Sequence, residues 1–198
     1  MNPEFARILE PRCVGHELNQ LWSHWCLVKD WNEKINLTSI ESDRDAAWLH
    51  YRDSLSVVDY LPTGPVVDMG SGAGFPGIPL AVVCPERSFC LVEPRRKRAS
   101  FLRVVVGKLQ LSNVEIFHGR STDKVPRLFS ALVTRATFSQ PSDLHYCLPW
   151  LSDEGILVAF RSGDAATLSL ADRSISYHLN GHKRRLDFIT RNSMGKEA

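Results

Sequence analysis

One segment of the chain carries residue types that can hold a small ligand of mixed charge. Asp68 lies in a short apolar run and is followed at alternate positions by Gly70, Gly72 and Gly74. Glycines let the backbone turn sharply and let a ligand approach it closely. A carboxylate beside such a turn favours a ligand with a cationic group. A second acid, Glu93, ends the next apolar run, where an acid can accept hydrogen bonds from ribose hydroxyls.

Two cofactor motifs match this segment. Gly72-x-Gly74-x-x-Gly77 fits the dinucleotide motif G-x-G-x-x-G, whereas Asp68-x-Gly70-x-Gly72-x-Gly74 fits the acid-x-G-x-G-x-G turn of S-adenosylmethionine (SAM) methyltransferases. The first glycine after the run is Gly70, which favours the second alignment. The anionic pyrophosphate of a dinucleotide would also be repelled by Asp68. A purely structural turn is the third possibility and accounts less well for the two acids. We therefore expect SAM as cofactor, with NAD as the alternative.

The type of methyl acceptor follows from residues that the chain lacks. No cysteine follows a proline, so the Pro-Cys nucleophile used on pyrimidine C5 is missing. The Asp/Asn-Pro-Pro-aromatic loop used on exocyclic amines is replaced by Thr134-Arg135-Ala136-Thr137-Phe138. A ring nitrogen such as guanine N7 carries its lone pair already and needs only orientation. Arg135, at the end of a predicted strand, could hold the cofactor or a phosphate.

These residues need a parallel sheet to bring them together. Beyond a break at residues 62–65, short apolar runs alternate regularly with helical segments, which predicts an α/β fold with a doubly wound, mostly parallel sheet. A short helix is predicted at residues 165–171, and a terminal strand pair at 174–179 and 186–190. The other predicted strands are residues 66–69, 88–92, 114–117, 131–134 and 155–160.

The first part of the chain has a helical pattern instead. Residues 16–33 are amphipathic at helical spacing, and Ser42 with Asp45 resembles a capping box that begins a helix running to about Tyr60. We predict an N-terminal helical extension over residues 1–61 and a methyltransferase domain over residues 62–198, joined in one compact unit.

Charge is distributed unevenly along the chain. The net charge is +2 overall, but residues 1–60 hold 6 Lys/Arg and 10 Asp/Glu. Residues 94–114 contain six cations and no acid, and such a stretch can attract a polyanion such as RNA. A second basic cluster, Lys183-Arg184-Arg185, is a weaker sign of the same kind.

Cysteine usage and hydropathy restrict the remaining classes of protein. The five cysteines are odd in number and lack C-x-x-C spacing, so we expect neither a disulfide framework nor a metal site. No apolar run approaches the roughly 20 residues of a membrane span. The first residues lack the apolar segment of a secretory signal. We expect a cytoplasmic protein that acts as a monomer and has no membrane partner.

The chain closely resembles the GidB family (glucose-inhibited division protein B, also written RsmG), bacterial methyltransferases that act on guanine N7 in 16S rRNA. The glycine- and proline-rich string over residues 68–80 carries most of this resemblance. The remaining matches are residues 31–32, 35–40, 50, 53–55, 97–98, 101–102, 111–114, 120 and 135–136.

The resemblance implies a Rossmann-like, SAM-dependent methyltransferase acting on guanine 527 in the 530 loop of 16S rRNA, in the small ribosomal subunit. It implies cofactor contacts at Gly70, Phe75, Arg135 and the residues after Arg120. Thr122 stands where the family commonly has glutamate, and Arg161 where lysine is common. The cofactor-binding residues that we predict are Asp68, Gly70, Gly72, Gly74, Phe75, Glu93, Ser121, Thr122 and Arg135.

RNA contacts and substrate positioning require further residues. We predict that rRNA phosphates bind at Arg95, Arg96, Lys97, Arg98 and Arg161, and that the guanine leaves its loop to reach the methyl group. Catalytic residues stay unassigned. The positioning candidates are Arg135, Asn36 and His50, and the last two could instead only fix helix packing. Two other functions stay open, a non-catalytic RNA-binding or ribosome assembly factor that retains SAM and an NAD-binding oxidoreductase.

Overall fold

A seven-stranded sheet forms the centre of the molecule. The computed structural model describes residues 1–138 and 140–194. Its strands lie in the order β3-β2-β1-β4-β5-β7-β6, with β1 to β5 parallel and β7 antiparallel to both β5 and β6. The strands are β1 (Val66–Met69), β2 (Phe89–Val92), β3 (Val114–Phe117), β4 (Phe129–Arg135), β5 (Leu151–Ser162), β6 (Arg173–Leu179) and β7 (His182–Thr190). This confirms the predicted fold class.

The order of the strands places a ligand crevice at one position. The chain runs outward from β1 to β2 and β3 and then returns to the other side of β1 as β4. Ligands of such sheets bind at the carboxyl ends of the strands where this order reverses. Asp68 and Met69 end β1, Arg135 ends β4, and Glu93 follows β2 directly, so the sheet collects these residues at one edge.

Helices cover both faces of the sheet. The extension contains α1 (Pro3–Leu9), α2 (His16–Asn32), α3 (Asp43–Asp45), a π-helical stretch (Ala46–Arg52), α4 (Asp53–Leu55) and a 3-10 turn (Val58–Tyr60). The later helices are α5 (Gly77–Val83), α6 (Arg96–Leu109), a 3-10 stretch (Pro141–Trp150) and α7 (Arg191–Met194). Among the described residues, none of these helices is long and apolar enough to cross a membrane.

Two helical segments differ from the sequence analysis. Helix α1 was not predicted, although Asn2 caps it by accepting hydrogen bonds from the amides of Glu4 (2.9 Å) and Phe5 (3.3 Å). The helix predicted at residues 165–171 is wrong, because this segment is irregular, with a bend at residue 165 and a turn at residues 169–170. The carbonyls of Ala165 and Ala166 accept hydrogen bonds from Arg185, each at 2.8 Å, which hold this irregular segment against β7.

Helix α5 is buried from Gly77 to Val82, because it lies between the sheet and the helices of the extension. Its sequence, GIPLAVV, has no polar side chain, as expected for a helix that is covered all round. Buried side chains of the extension, such as Trp25 and Tyr51, belong to the same apolar core as Ile78 and Phe101. The extension therefore closes the core on this face of the sheet.

We expect a truncated chain that begins at residue 62 not to fold cooperatively. Removal of the extension would expose α5, and each fully buried large apolar side chain contributes about 1.5–3 kcal/mol. The measurement is thermal melting of the truncated chain followed by far-UV circular dichroism, with the full-length chain as control. A cooperative transition at the full-length melting temperature would contradict this expectation.

Candidate functional site

A cavity of about 820 Å³ lies at the carboxyl ends of β1, β2 and β4. Its walls come from six parts of the chain: the extension, the glycine turn after β1, the segment after β2, the ends of β4 and β5, and the β6–β7 hairpin with the start of β7. This is the edge at which the strand order predicts a ligand.

The three glycines of the turn have different surroundings. Gly70, Gly72 and Gly74 all have positive φ, at 78°, 57° and 94°. A Cβ atom at Gly70 would lie 2.3 Å from Thr137 Cγ2, and one at Gly74 would lie 2.7 Å from Ile78 Cγ1. A Cβ atom at Gly72 would meet nothing closer than 3.6 Å. Packing therefore requires Gly70 and Gly74, whereas Gly72 leaves its space to the cavity that it lines.

Asp68 lies beneath the turn and does not line the cavity. Its side chain is fully buried, and Oδ2 accepts a hydrogen bond from the Gly77 amide at 3.0 Å, while Oδ1 has no partner among the described residues. Burial raises the pKa of Asp68 to about 7. The carboxylate thus fixes the start of α5. This differs from the sequence analysis, which placed Asp68 among the residues that contact the cofactor. Because it occupies the first amide of α5, it also disfavours a pyrophosphate at this helix.

Glu93 joins the glycine turn to the start of α6. Its side chain is only 3% exposed, and it accepts hydrogen bonds from the amides of Gly72 (2.9 Å) and Arg95 (2.7 Å). Glu93 lines the cavity. Each carboxylate oxygen has a second lone pair, so Glu93 can still accept hydrogen bonds from a ligand.

Ser121 and Thr122 line a second, adjoining cavity of about 420 Å³. Gly70 and Thr137 line both cavities, so they form part of the wall between them. The indole of Trp150 fixes this region by donating a hydrogen bond to the Ser121 carbonyl at 2.8 Å. The structure thus divides most of the predicted cofactor residues between two neighbouring spaces, whereas Asp68 and Gly74 line neither of them.

Arg135 connects the end of β4 to the extension. Its Nη1 donates to the Leu49 carbonyl (3.1 Å) and to Asp53 Oδ2 (3.2 Å), and its Nη2 donates to His50 Nδ1 (3.3 Å). The guanidinium group also lies over the ring of Phe75, with Cζ 5.3 Å from the ring centre. Burial lowers the pKa of Arg135. The side chain lines the main cavity in a fixed orientation.

His50 is a neutral ring with both nitrogen atoms engaged. Because a guanidinium group only donates, Nδ1 accepts from Arg135, and Nε2 carries the proton that is donated to Thr38 Oγ1 at 2.8 Å. Burial, followed by the charge of Arg135, lowers the pKa of His50 to about 2. The ring stacks on Phe75 with their centres 4.4 Å apart.

Asn36, the third positioning candidate, lies elsewhere. It is exposed and is not among the residues that line the main cavity. Its carbonyl accepts a hydrogen bond from Arg98 Nη2 at 2.6 Å. The structure therefore brings His50 and Arg135 together and leaves Asn36 outside.

Four of the five predicted RNA-binding residues lie together, and the fifth, Arg161, lies apart from them. Arg95, Arg96 and Lys97 are exposed at the start of α6, and together with the half-buried Arg98 they line a small cleft beside residues 34–36. Arg95 and Arg98 also line the main cavity. Arg161 lines a different space of about 470 Å³ beside β4 and β5, so it does not belong to this patch.

Two residues of the site were not predicted. Asp53 is fully buried and binds both Arg135 and Arg184, and Arg184 lines the main cavity. The sequence contains both signals, since Asp53 belongs to the resemblance to the GidB family and Arg184 to the second basic cluster. Their contact could not be inferred, because the two residues are separated by 131 positions.

We expect Asp68→Asn to change how stability depends on pH. The pKa of Asp68 is raised above its unfolded value of about 3.9, so the folded state retains this proton and loses stability as pH rises from about 4 to 7. Asparagine can still accept from the Gly77 amide and does not ionise. Relative to wild type, the variant should therefore gain up to about 1.4 kcal/mol per pH unit as pH rises toward 7.

The measurement is the free energy of unfolding in urea at several values between about pH 5 and 8. Asp153→Asn serves as control, because the Asp153 side chain is 97% exposed. A constant difference between wild type and Asp68→Asn over this range would contradict the assignment of Asp68.

Comparison with known proteins identifies relatives over most of the chain. The pattern of the GidB family, rRNA small subunit methyltransferase G, matches residues 17–191. A Ribosomal RNA small subunit methyltransferase G from Clostridium botulinum (strain Okra / Type B1) is 32% identical over 173 residues, covering 80% of this chain and 72% of that protein. The protein of the same name from Alkaliphilus oremlandii (strain OhILAs) is 35% identical over 163 residues, covering 78% and 68%.

Solved structures share the fold at lower identity. A SAM dependent methyltransferase from Aquifex aeolicus superposes with a TM-score of 0.56 at 17% identity, covering 74% of this chain and 93% of that one. The fold is therefore the Rossmann-like fold of SAM-dependent methyltransferases, and the match over residues 17–191 shows that the chain belongs to the GidB family of small-subunit rRNA methyltransferases.

Proposed function

We propose that this chain transfers a methyl group from SAM to guanine N7 in the 16S rRNA of the small ribosomal subunit. The observation that carries the proposal is the convergence of the glycine turn, Glu93 and Arg135 on one cavity in a chain of this family. A specific target, guanine 527 in the 530 loop, comes from the resemblance. We place the activity in the cytoplasm, where ribosomal subunits are assembled, and infer that the chain acts as a monomer.

The residues around the two cavities fit SAM. Gly72 leaves room where any side chain would enter the main cavity, and the oxygens of Glu93 keep acceptor capacity for ribose hydroxyls. We assign the adenine to the cavity lined by Ser121 and Thr122, and the methionine carboxylate to Arg135. Bound SAM supplies the methyl group as an electrophilic substituent of a sulfonium. Asp68 supports this site from beneath the turn and is not assigned a direct contact.

The state of His50 supports an acceptor atom that loses no proton before attack. Both ring nitrogens are engaged and the pKa is lowered to about 2, so His50 does not serve as a general base. Guanine N7 needs no base, because its lone pair is available. The contribution of His50 and Phe75 is then to orient the base and to exclude water.

The exposed cations beside the cavity fit an RNA substrate. Arg95, Arg96, Lys97 and Arg98 lie at the mouth of the cavity or next to it, and phosphate contacts of this kind position RNA without reading its sequence. We assign these four residues to the rRNA backbone near the target base. Arg161 would contact a more distant phosphate.

Methyl transfer from radiolabelled SAM to small ribosomal subunits, taken from a strain that lacks this modification, tests the proposal. We expect label at one guanine, detected by chain cleavage at 7-methylguanine. No label, with SAM binding intact, would favour the non-catalytic factor that retains SAM. Stabilisation against melting by NADH and not by SAM would instead favour the oxidoreductase.

We expect Gly72→Val to weaken SAM binding by about 100-fold or more, equivalent to about 2.7 kcal/mol. The valine side chain would occupy the space that Gly72 leaves to the cavity. The measurement is SAM binding by isothermal titration calorimetry.

Gly15→Val is a matched control for backbone strain. Gly15 has a φ of 52°, close to the 57° of Gly72, and a Cβ atom there would meet nothing within 4 Å. Valine at a positive φ is strained in either variant, and Gly15, which precedes α2, lines neither of the two cavities. Equal SAM affinity of Gly72→Val and wild type would contradict the cofactor site.

A further inference from the structure

Two arginines from different strands share one buried carboxylate at the wall of the main cavity. Oδ1 of Asp53 accepts hydrogen bonds from Tyr177 Oη (2.8 Å) and Arg184 Nε (2.9 Å). Its Oδ2 accepts from Arg184 Nη2 (2.7 Å) and Arg135 Nη1 (3.2 Å). The two-pronged contact with Arg184 fixes the plane of that guanidinium group, because both bonds must be satisfied at once.

This cluster carries an unbalanced positive charge. One carboxylate, Asp53, faces two guanidinium groups, and all three are buried or mostly buried, with the side chains of Asp53, Arg135 and Arg184 0%, 13% and 22% exposed. The acids that line the cavity itself are Glu93, which is already bound by two backbone amides, and the exposed Asp164. Partial burial of an uncompensated cation is costly, and an anion bound at the cavity would offset that cost.

Arg184 keeps donors for such an anion. Its Nε and Nη2 bind Asp53, whereas Nη1 makes no hydrogen bond within the described part of the chain. The residue lines the main cavity. The side chain is therefore pre-oriented by Asp53 and has free N–H groups at the cavity wall.

We propose that Arg184 is a ligand-binding residue that binds an anionic oxygen group in the main cavity, and that Asp53 is its positioning residue. The inference rests on the proposed function, which offers two sources of this chemistry, an RNA phosphodiester and the carboxylate of SAM. The phosphodiester is favoured because His182 and Lys183, the two preceding residues of β7, are exposed and line the same cavity. The cationic wall thus continues from Arg184 to the surface, as a polyanion requires.

The next residue of β7 provides a matched control. Arg185 forms a similar two-pronged pair with Asp187, from Nε to Oδ1 (2.8 Å) and from Nη2 to Oδ2 (3.3 Å). Both residues are buried, and neither lines the main cavity. Successive side chains of a strand point to opposite faces, so Arg185 repeats the chemistry of Arg184 on the other side of the sheet.

The test compares Arg184→Lys, Arg185→Lys and Asp53→Asn in the full chain. RNA affinity is measured by filter binding to 16S rRNA, SAM affinity by calorimetry, and folding by thermal melting. We expect Arg184→Lys to weaken rRNA binding about tenfold, because lysine keeps the positive charge but cannot make the two-pronged contact of a guanidinium group. The SAM affinity of this variant should be unchanged. Asp53→Asn should also weaken rRNA binding, and because it removes the charged partner of Arg135 as well, its SAM affinity should fall too. Arg185→Lys should leave both affinities within about twofold, while its melting temperature falls because the buried pair with Asp187 is weakened.

A neutral variant adds a readout that a structural role would not change. Loss of one phosphate contact in Arg184→Gln should lower the dependence of log affinity on log salt by about 0.7–0.9. Weaker SAM binding with normal RNA binding would assign Arg184 to the carboxylate of SAM.

The proposal is overturned if Arg184→Lys matches Arg185→Lys in both affinities and Arg184→Gln leaves the salt dependence unchanged. Its failure is distinguishable from failure of the proposed function. Absence of methyl transfer by the wild type would remove that function, while the binding measurements would still decide whether Arg184 binds an anion.

Discussion

The buried carboxylate of Asp53 is the interaction on which the shape of the site depends. It joins the extension to the end of β4 and to the start of β7, because its oxygens bind Arg135 and Arg184 at the same time. Without it, two guanidinium groups would face each other at one cavity wall with no intervening charge. The helical extension is therefore part of the site, since it supplies Asp53 and the neutral ring of His50.

Carboxylates fix the glycine turn in a similar way. Asp68 holds the first amide of α5 from below, and Glu93 holds the Gly72 amide from the side of β2. A flexible glycine segment becomes a defined surface because its amides are bound by buried acids. Glycine thus leaves space beside the turn for a ligand, and the hydrogen bonds to Asp68 and Glu93 keep the turn in one conformation.

The sequence predicts the sheet and the glycine turn but not the way in which the parts meet. Regular alternation of strands and helices is a local pattern, and the predicted strands agree with the structure. The helix predicted at residues 165–171 is wrong, and the contacts of this segment with Arg185 of β7 are tertiary contacts that a local pattern does not contain. The motif containing Asp68 identifies the turn, yet it does not reveal on which side of the strand the carboxylate lies. In the sequence, Arg184 is one of three adjacent basic residues, and nothing local distinguishes it from the other two. Its partner, Asp53, lies in the extension.

The separation of Asp53 from Arg184 also bears on how the chain folds during synthesis. The two residues are 131 positions apart, so the cavity wall cannot be completed before β7 has left the ribosome. Until then the apolar side chains of the extension and of α5 lack part of their packing, and folding depends on contacts that form late. An enzyme proposed to modify the ribosome thus needs β7 to be translated before its own substrate cavity exists.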